Sequence, residues 1–405
     1  MTNLNLLVAQ QKQFAVIHTM LAGTFLSRAG YFMVWPYLSV TLYRNFQLSA
    51  SLIGAIFFLT SAAGIIIGVF ASYYSDKLGR NRSLIASLLL SIAGFAIMAY
   101  SNGTAEFVAA MIFISTGRAC TESFSKAMIG DYLVDLRSRE KYQYIRYYIV
   151  NIGSALGPLA GTYALTSPNL NIFIVSCAVY LLYALALLFV LKGLRNTVVH
   201  DKKEIPAFTH SILNIFSQAQ FSKLLVCYFI VMFVYISFDS PLIQLLTRLK
   251  FSELNYAISM IFVVNAVTVV VFQYPVMFLL KSWTIRSRII MGIFLISVSQ
   301  LLFLTVYSGS VEMLALCVLV LSIGELITMP AFSVEVDRLA PDDLRGTSFG
   351  LINLTSLGTA MCPLFCGFLI DAGLGHLMFI SLFILGIVAI LIYASVGQSS
   401  LQQRE

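Results

Sequence analysis

Charge is what this chain has least of: only 11% of its 405 residues are Asp, Glu, Lys or Arg, against roughly 25% in a soluble domain. With 59% hydrophobic residues and a mean hydropathy of +0.89, too little polar surface exists to face water, so lipid is the expected solvent. Histidine is sparse as well. His18, His200, His210 and His376 are scattered, and neither a GxxxxGK phosphate loop nor a nucleophile elbow occurs, so no enzyme is expected. The six cysteines (Cys120, Cys177, Cys227, Cys317, Cys362 and Cys366) all fall in apolar stretches. That placement argues against a disulfide framework or a zinc site and leaves them as small buried hydrophobes. No cofactor and no metal is expected. The N-terminal MTNLNLLVAQQKQF lacks a cleavable signal pattern, so the first apolar run is expected to be retained.

What fills the chain is long apolar runs. A helix needs about 20 apolar residues to cross a bilayer, and twelve runs qualify, at approximately 15–43, 51–74, 82–100, 106–133, 143–166, 170–193, 222–248, 254–280, 287–308, 311–336, 347–370 and 374–397. They lack the alternation of β-barrel strands. Basic residues near span ends are retained on the cytoplasmic side. With the N-terminus inside, the connections place eighteen Lys and Arg inside and only Arg44, Arg248 and Lys250 outside. Both termini are therefore expected in the cytoplasm, with the chain in the cell (inner) membrane. Attraction of these loops to anionic lipid accounts for the net charge of +7 without a nucleic-acid partner.

The longest polar interruption, with HDKKEIP at its centre, divides the chain into residues 1–194, a cytoplasmic linker over 195–221, and residues 222–405. The two halves repeat. Pro36 and Pro241 are 205 apart, Arg80 and Arg286 are 206 apart, Gly117 and Gly324 are 207 apart, Asp131 and Asp337 are 206 apart, and Pro158 and Pro363 are 205 apart. A duplicated six-span unit predicts an all-α membrane protein of twelve transmembrane helices, in two pseudo-twofold six-helix bundles around a central cavity. Such a fold needs no partner subunit, and a monomer is expected.

Between the second and third runs lies SYYSDKLGRNRSL, residues 72–84. It resembles the GxLaDrxGrkxxl loop signature of the major facilitator superfamily, matching at Asp76, Lys77, Gly79, Arg80 and Leu84 and departing at Ser72 and Asn81. The resemblance covers essentially the whole chain. It implies a secondary transporter in which Asp76 and Arg80 form a gating charge relay with Asp131. The fifth run carries GSALGPLAG, whose Gly153, Gly157, Pro158 and Gly161 match the GxxxGPxxG element associated in this family with antiporters that export drugs and metabolites. Glycines four apart also permit close helix contact, and proline bends a helix.

Ionisable groups within the runs carry the functional expectation, because each costs at least about 2.5 kcal/mol at the bilayer centre unless paired or wetted. Arg28 lies in the first run, Arg118, Glu122 and Lys126 at four-residue spacing in the fourth, Asp239 in the seventh and Glu325 in the tenth. Arg118 matches the family's span-four arginine, which the resemblance links to proton coupling. It holds Glu122 or an acid of the opposite bundle. Arg28 either binds an anionic group of the substrate or pairs with Glu122 or Asp239. Glu325, with no basic residue one turn away, is the favoured proton carrier, a neutral glutamic acid bonded to a neighbouring span being the other reading. Asp239, beside Pro241, is the second candidate. Tyr31, Trp35, Asn151, Asn265 and Gln273 are the further candidates for lining a substrate cavity.

The leading expectation is a proton-coupled antiporter that exports a small amphipathic molecule (a drug, siderophore or metabolite) by alternating access. The alternative is a proton symporter that imports a sugar, peptide or organic anion. Small-molecule substrate, protons and the lipid bilayer are the expected partners.

Overall fold

A computed structural model describes residues 2–133, 136–166, 171–192, 218–339, 352 and 354–396, and within them every regular element is helical. Six α-helices come first: α1 (Thr2–Phe46), α2 (Ala50–Leu78), α3 (Arg80–Tyr100), α4 (Thr104–Tyr132), α5 (Leu136–Thr166) and α6 (Ile172–Leu191). Seven follow: α7 (Ala219–Tyr235), α8 (Ser240–Arg248), α9 (Leu254–Leu279), α10 (Ile285–Leu302), α11 (Val311–Leu339), α12 (Leu357–Asp371) and α13 (Gly375–Ala394). Eight helical segments among the described residues are long and apolar enough by themselves to cross a membrane, α7 and α8 counting as one. Arg28, the Arg118–Glu122–Lys126 series and Arg146 lower the mean hydropathy of α1, α4 and α5. Apolar side chains also face outward, Phe189 being 81% and Leu279 72% exposed. A surface of that kind suits acyl chains and not water.

Two compact units emerge, Met1–Leu48 with Leu59–Lys202, and Ser49–Phe58 with Lys203–Glu405. Each has the same internal packing. In the first, α1 lies against α5 and α6, and α3 against α4 and α6. In the second, α7 lies against α12 and α13, and α10 against α11 and α13. The repeat reaches atomic detail. A methyl group on Gly117 of α4 would sit 2.7 Å from the Ser87 carbonyl and 2.9 Å from the Ser91 amide. One on Gly324 of α11 would sit 2.8 Å from the Gly292 carbonyl and 2.9 Å from the Ile296 amide. Those contacts recur at 205 to 207 residues, so both pairs of helices approach through glycine in the same register.

The repeat is broken at one place. Pro36 lies inside the unbroken α1, whereas the run expected over 222–248 is interrupted by a 3-10 turn at Ile236–Phe238 and restarts as α8 with Pro241 in its first turn. Proline has no amide hydrogen to give and fits the first turn of a helix, where that hydrogen is not needed. Asp239 is thereby the residue that precedes the first turn of α8, its carbonyl accepting from the Ile243 amide at 3.1 Å.

Helix ends are satisfied by specific side chains. Between α2 and α3 a single residue turns the chain, Gly79 at φ 93°, a conformation that a side chain would strain. Asn171 accepts from the Phe173 and Ile174 amides at the start of α6. At the start of α2 the carboxylate of Asp371, at the end of α12, accepts from the Ala50 and Ser51 amides, both at 2.7 Å. Burial of Asp371 opposes ionisation, but the hydrogen bonds from Ser51 and Ala50 and the nearby Arg248 outweigh it and hold the carboxyl below its usual range.

Three outcomes are expected in thermal unfolding of the purified protein. Gly157→Val should lower stability by about 1–3 kcal/mol, because the new Cβ would lie 2.6 Å from the Ala29 carbonyl. Gly130→Ala, with nothing within 4 Å, should not lower it. Asp371→Ala should cost about 0.5–2 kcal/mol, as loss of a helix cap does. Since its carboxyl is depressed on folding, that contribution should be fully present above the ordinary Asp value of about 3.9 and vanish only as the pH falls below it.

Candidate functional site

The four-residue spacing in α4 puts Arg118, Glu122 and Lys126 on one face, and Glu122 becomes a hub. Its carboxylate lies 3.5 Å from Arg118 Nη1 and 3.1 Å from Lys126 Nζ on the same helix. It lies 3.9 Å from Arg28 Nη1 of α1 and 3.8 Å from Arg146 Nη2 of α5. Four cations thus share one anion.

The glycines of α5 make this convergence possible. A methyl on Gly153 would lie 3.0 Å from the Arg28 Cβ and 3.1 Å from the Phe25 carbonyl, and one on Gly157 would meet Ala29 and Phe32. The element that resembles an antiporter signature is therefore the face on which α1 seats against α5. Directly beside it, Ser154 Oγ accepts from Arg28 Nε at 3.0 Å and donates to the Val150 carbonyl at 2.9 Å. Pro158, which interrupts the hydrogen-bond ladder, offers its carbonyl to Tyr37 Oη at 3.0 Å. Aromatic faces hold the guanidinium groups: Arg28 lies over Phe32 at 4.7 Å and Arg118 over Tyr31 at 4.9 Å.

Arg28, Arg118, Glu122 and Arg146 line a partly open cavity in the first unit, together with the hydroxyl-bearing Ser27, Thr121 and Tyr180. A second, small apolar cavity is lined by Trp35, Leu38, Phe95 and Met111, and Tyr31 borders both. Tyr31 and Trp35 stack at 5.1 Å. Of the candidates that the sequence suggested, Arg28, Tyr31, Arg118 and Glu122 converge on the charged cavity, and Trp35 lies next door. Asn151 instead donates to the Tyr147 carbonyl of its own helix at 2.9 Å.

In the second unit Glu325 has a different setting. Asn265 Nδ2 of α9 donates to its Oε2 at 2.7 Å and also approaches Ser322 Oγ at 2.9 Å. Tyr235 is within hydrogen-bonding reach. Among the described residues Glu325 has no ion-pair partner, so it can change charge without stranding a cation. Asn265 therefore sits on the acid. Gln273 lies half-buried two turns farther along α9, and Asp239 is buried at the break between α7 and α8.

At the end of α4, Arg80 Nη1 pairs with Asp131 at 2.9 Å. Asn81, where the loop signature has a basic residue, instead bonds Tyr132 Oη at 2.9 Å. The side chains of Asp76 and Asp337 lie outside the described residues. Arg286, the repeat counterpart of Arg80, donates to the carbonyls of Ala394 and Val396 at the end of α13. Among the described residues no group of three or more His, Cys, Asp or Glu side chains is arranged to hold a metal, and the six cysteines are unbridged.

Of the charged residues lining the Glu122 cavity, Arg146 was not among the sequence candidates for a site. Arg146 was visible only as a cation inside a run, yet its spacing was informative: Arg146, Val150, Gly153 and Gly157 follow the i, i+4, i+7, i+11 pattern of one helix face. The face that seats α1 therefore also carries Arg146 toward Glu122.

The profile of the Major Facilitator Superfamily matches residues 20–361. The chain is 28% identical over 363 residues to the uncharacterized MFS-type transporter YqjV of Bacillus subtilis (strain 168), covering 87% of this chain and 86% of that protein. It is 23% identical over 188 residues to a Na(+), Li(+), K(+)/H(+) antiporter of Planococcus maritimus, covering 45% and 43%. In structure it is similar to the peptide transporter POT crystallised with sulfate, with a TM-score of 0.76 at 16% identity, covering 94% of this chain and 95% of that one.

Glu122→Gln should remove the carboxylate that the four cations share. Unfolding should show a loss of about 1–3 kcal/mol, less than for a fully buried pair because the Glu122 side chain is 32% exposed. Glu122→Asp, which keeps the charge, should lose less.

Proposed function

We propose that this chain, which belongs to the Major Facilitator Superfamily and is therefore a membrane transporter, is a proton-coupled antiporter that exports a small amphipathic molecule by alternating access. The observation that carries the reading is the setting of Glu325, a deep carboxylate whose nearest partner is the neutral amide of Asn265 at 2.7 Å. A group of this kind takes up and releases a proton at modest electrostatic cost, and the amide re-forms its bond to either state. Glu122 is a poor carrier by comparison. Neutralising it would leave Arg28, Arg118, Lys126 and Arg146 without their shared anion.

In this reading Arg80 and Asp131, paired at 2.9 Å, act with Asp76 as the gating relay. The glycine face of α5 is the surface on which α1 is held during the motion. Export is supported by the antiporter-type GSALGPLAG element and by the antiporter name of one relative. The protein works as a monomer in the cell (inner) membrane with both termini in the cytoplasm, in keeping with the distribution of Lys and Arg in the connections.

The test uses the full chain in proteoliposomes carrying a pH gradient. Glu325→Gln should lose gradient-driven transport while keeping its fold and substrate counterflow. Coupling that survives in this variant would remove Glu325 from the mechanism. In wild-type vesicles, added substrate should alkalinise the compartment it enters. Acidification would instead indicate symport, and no pH response would indicate facilitated diffusion.

A further inference from the structure

Among the described residues of the first unit, positive charge is concentrated around a single carboxylate. Around the charged cavity, Arg28, Arg118, Lys126 and Arg146 all lie within 4 Å of Glu122, the sole carboxylate lining that cavity among the described residues. Among the described residues these four positive groups share one carboxylate. Charge is costly inside a bilayer, and neighbouring cations repel one another. Water lowers that energy, and an anion lowers it further.

Arg146 points to the anion independently. Its side chain is 7% exposed, it lines the cavity, and its Nε has no hydrogen-bond partner. Its contact with Glu122, at 3.8 Å, is longer than a hydrogen bond. A buried guanidinium donor left without an acceptor is unusual, and here it borders the cavity that Arg28, Arg118 and Glu122 also line. The forked donors of arginine match the oxygens of a carboxylate, sulfonate or phosphate.

The neighbouring cavity specifies the rest of the ligand. It is apolar, Tyr31 lines both it and the charged one, and Trp35 stacks on that ring. We infer that the first unit binds an amphipathic organic anion, its oxyanion on Arg146, Arg118 and Arg28 and its apolar or aromatic part along Tyr31 and Trp35. This rests on the proposed transport function and names the substrate class that its cavity takes.

Binding is measured at equilibrium, without a gradient, on the full chain in nanodiscs of zwitterionic phosphatidylcholine. The probes are 4-toluenesulfonate, its neutral analogue 4-toluenesulfonamide and the cation 4-methylbenzylammonium. Trp35 and Trp283 are the two tryptophans of the chain, so Trp283→Phe leaves Trp35 as the reporter beside the cavity. The sulfonate is expected to change Trp35 fluorescence saturably and to raise the unfolding temperature, and the other two probes are not. Arg146→Gln should weaken the sulfonate at least about tenfold, the loss of one hydrogen bond to a charged group, with Arg146→Lys in between. Equal responses to the three probes, or wild-type affinity in Arg146→Gln, would overturn the inference. If Arg146→Gln does not fold, the order of the three probes on the wild-type protein decides alone. Stabilisation by phosphatidylglycerol nanodiscs with no response to the sulfonate would also overturn it, marking the pocket as a lipid headgroup site. Loss of the anion preference with pH-driven transport intact would refute this inference alone. Sulfonate binding without any pH coupling would refute the antiport reading alone.

Discussion

A single carboxylate shared among four cations in the interior of a helix bundle is the interaction on which the first unit depends. Glu122 draws Arg28 from α1 and Arg146 from α5 onto the face of α4 that carries Arg118 and Lys126. Without it, these cations would repel one another across three helices. The pairs hold the helices in place while the positive charge gathered there is available to a ligand, so that packing and recognition draw on the same side chains.

Gene duplication supplies the frame, and divergence within it supplies the division of labour. The glycine contacts that join α3 to α4 recur between α10 and α11 at an offset of 205 to 207 residues. Along the same register, Arg118 falls on Glu325, Glu122 on Met329 and Arg28 on Phe233. Where the first unit has its anionic hub, the second has Met329 accepting a weak bond from Tyr228 at 3.5 Å, and Phe233 packs on Phe365 at 5.6 Å. One copy has accumulated fixed positive charge. The other keeps a carboxylate whose partner is an amide. A transporter that exchanges a proton for an organic anion needs those two properties, and the repeat allows each to be tuned without disturbing the other.

Much of this was legible in the sequence, and the part that was not has a common cause. Patterns within one helix are written in the chain: the four-residue spacing of Arg118, Glu122 and Lys126, and the glycine ridge of the fifth run. The repeat offsets likewise located Gly117 and Gly324 in equivalent settings. What the spacing does not encode is the register between helices far apart in sequence. The bond from Asn265 to Glu325 links residues 60 apart, and the cap that Asp371 places on α2 spans about 320. Neither leaves a periodic trace. The break before Pro241 was missed for another reason. Pro36 bends no helix end, and only the second copy converts its proline into the first turn of a new helix.

The most direct test of the central claim, that the cation cluster of the first unit is an anion site, is a crystal structure of the full chain soaked with 4-bromobenzenesulfonate and recorded at the bromine absorption edge. The account places the sulfonate against Arg118 and Arg146, with the anomalous bromine peak in the apolar cavity near Trp35. A cavity filled by an acyl chain, or a bromine peak confined to the protein surface, would contradict it.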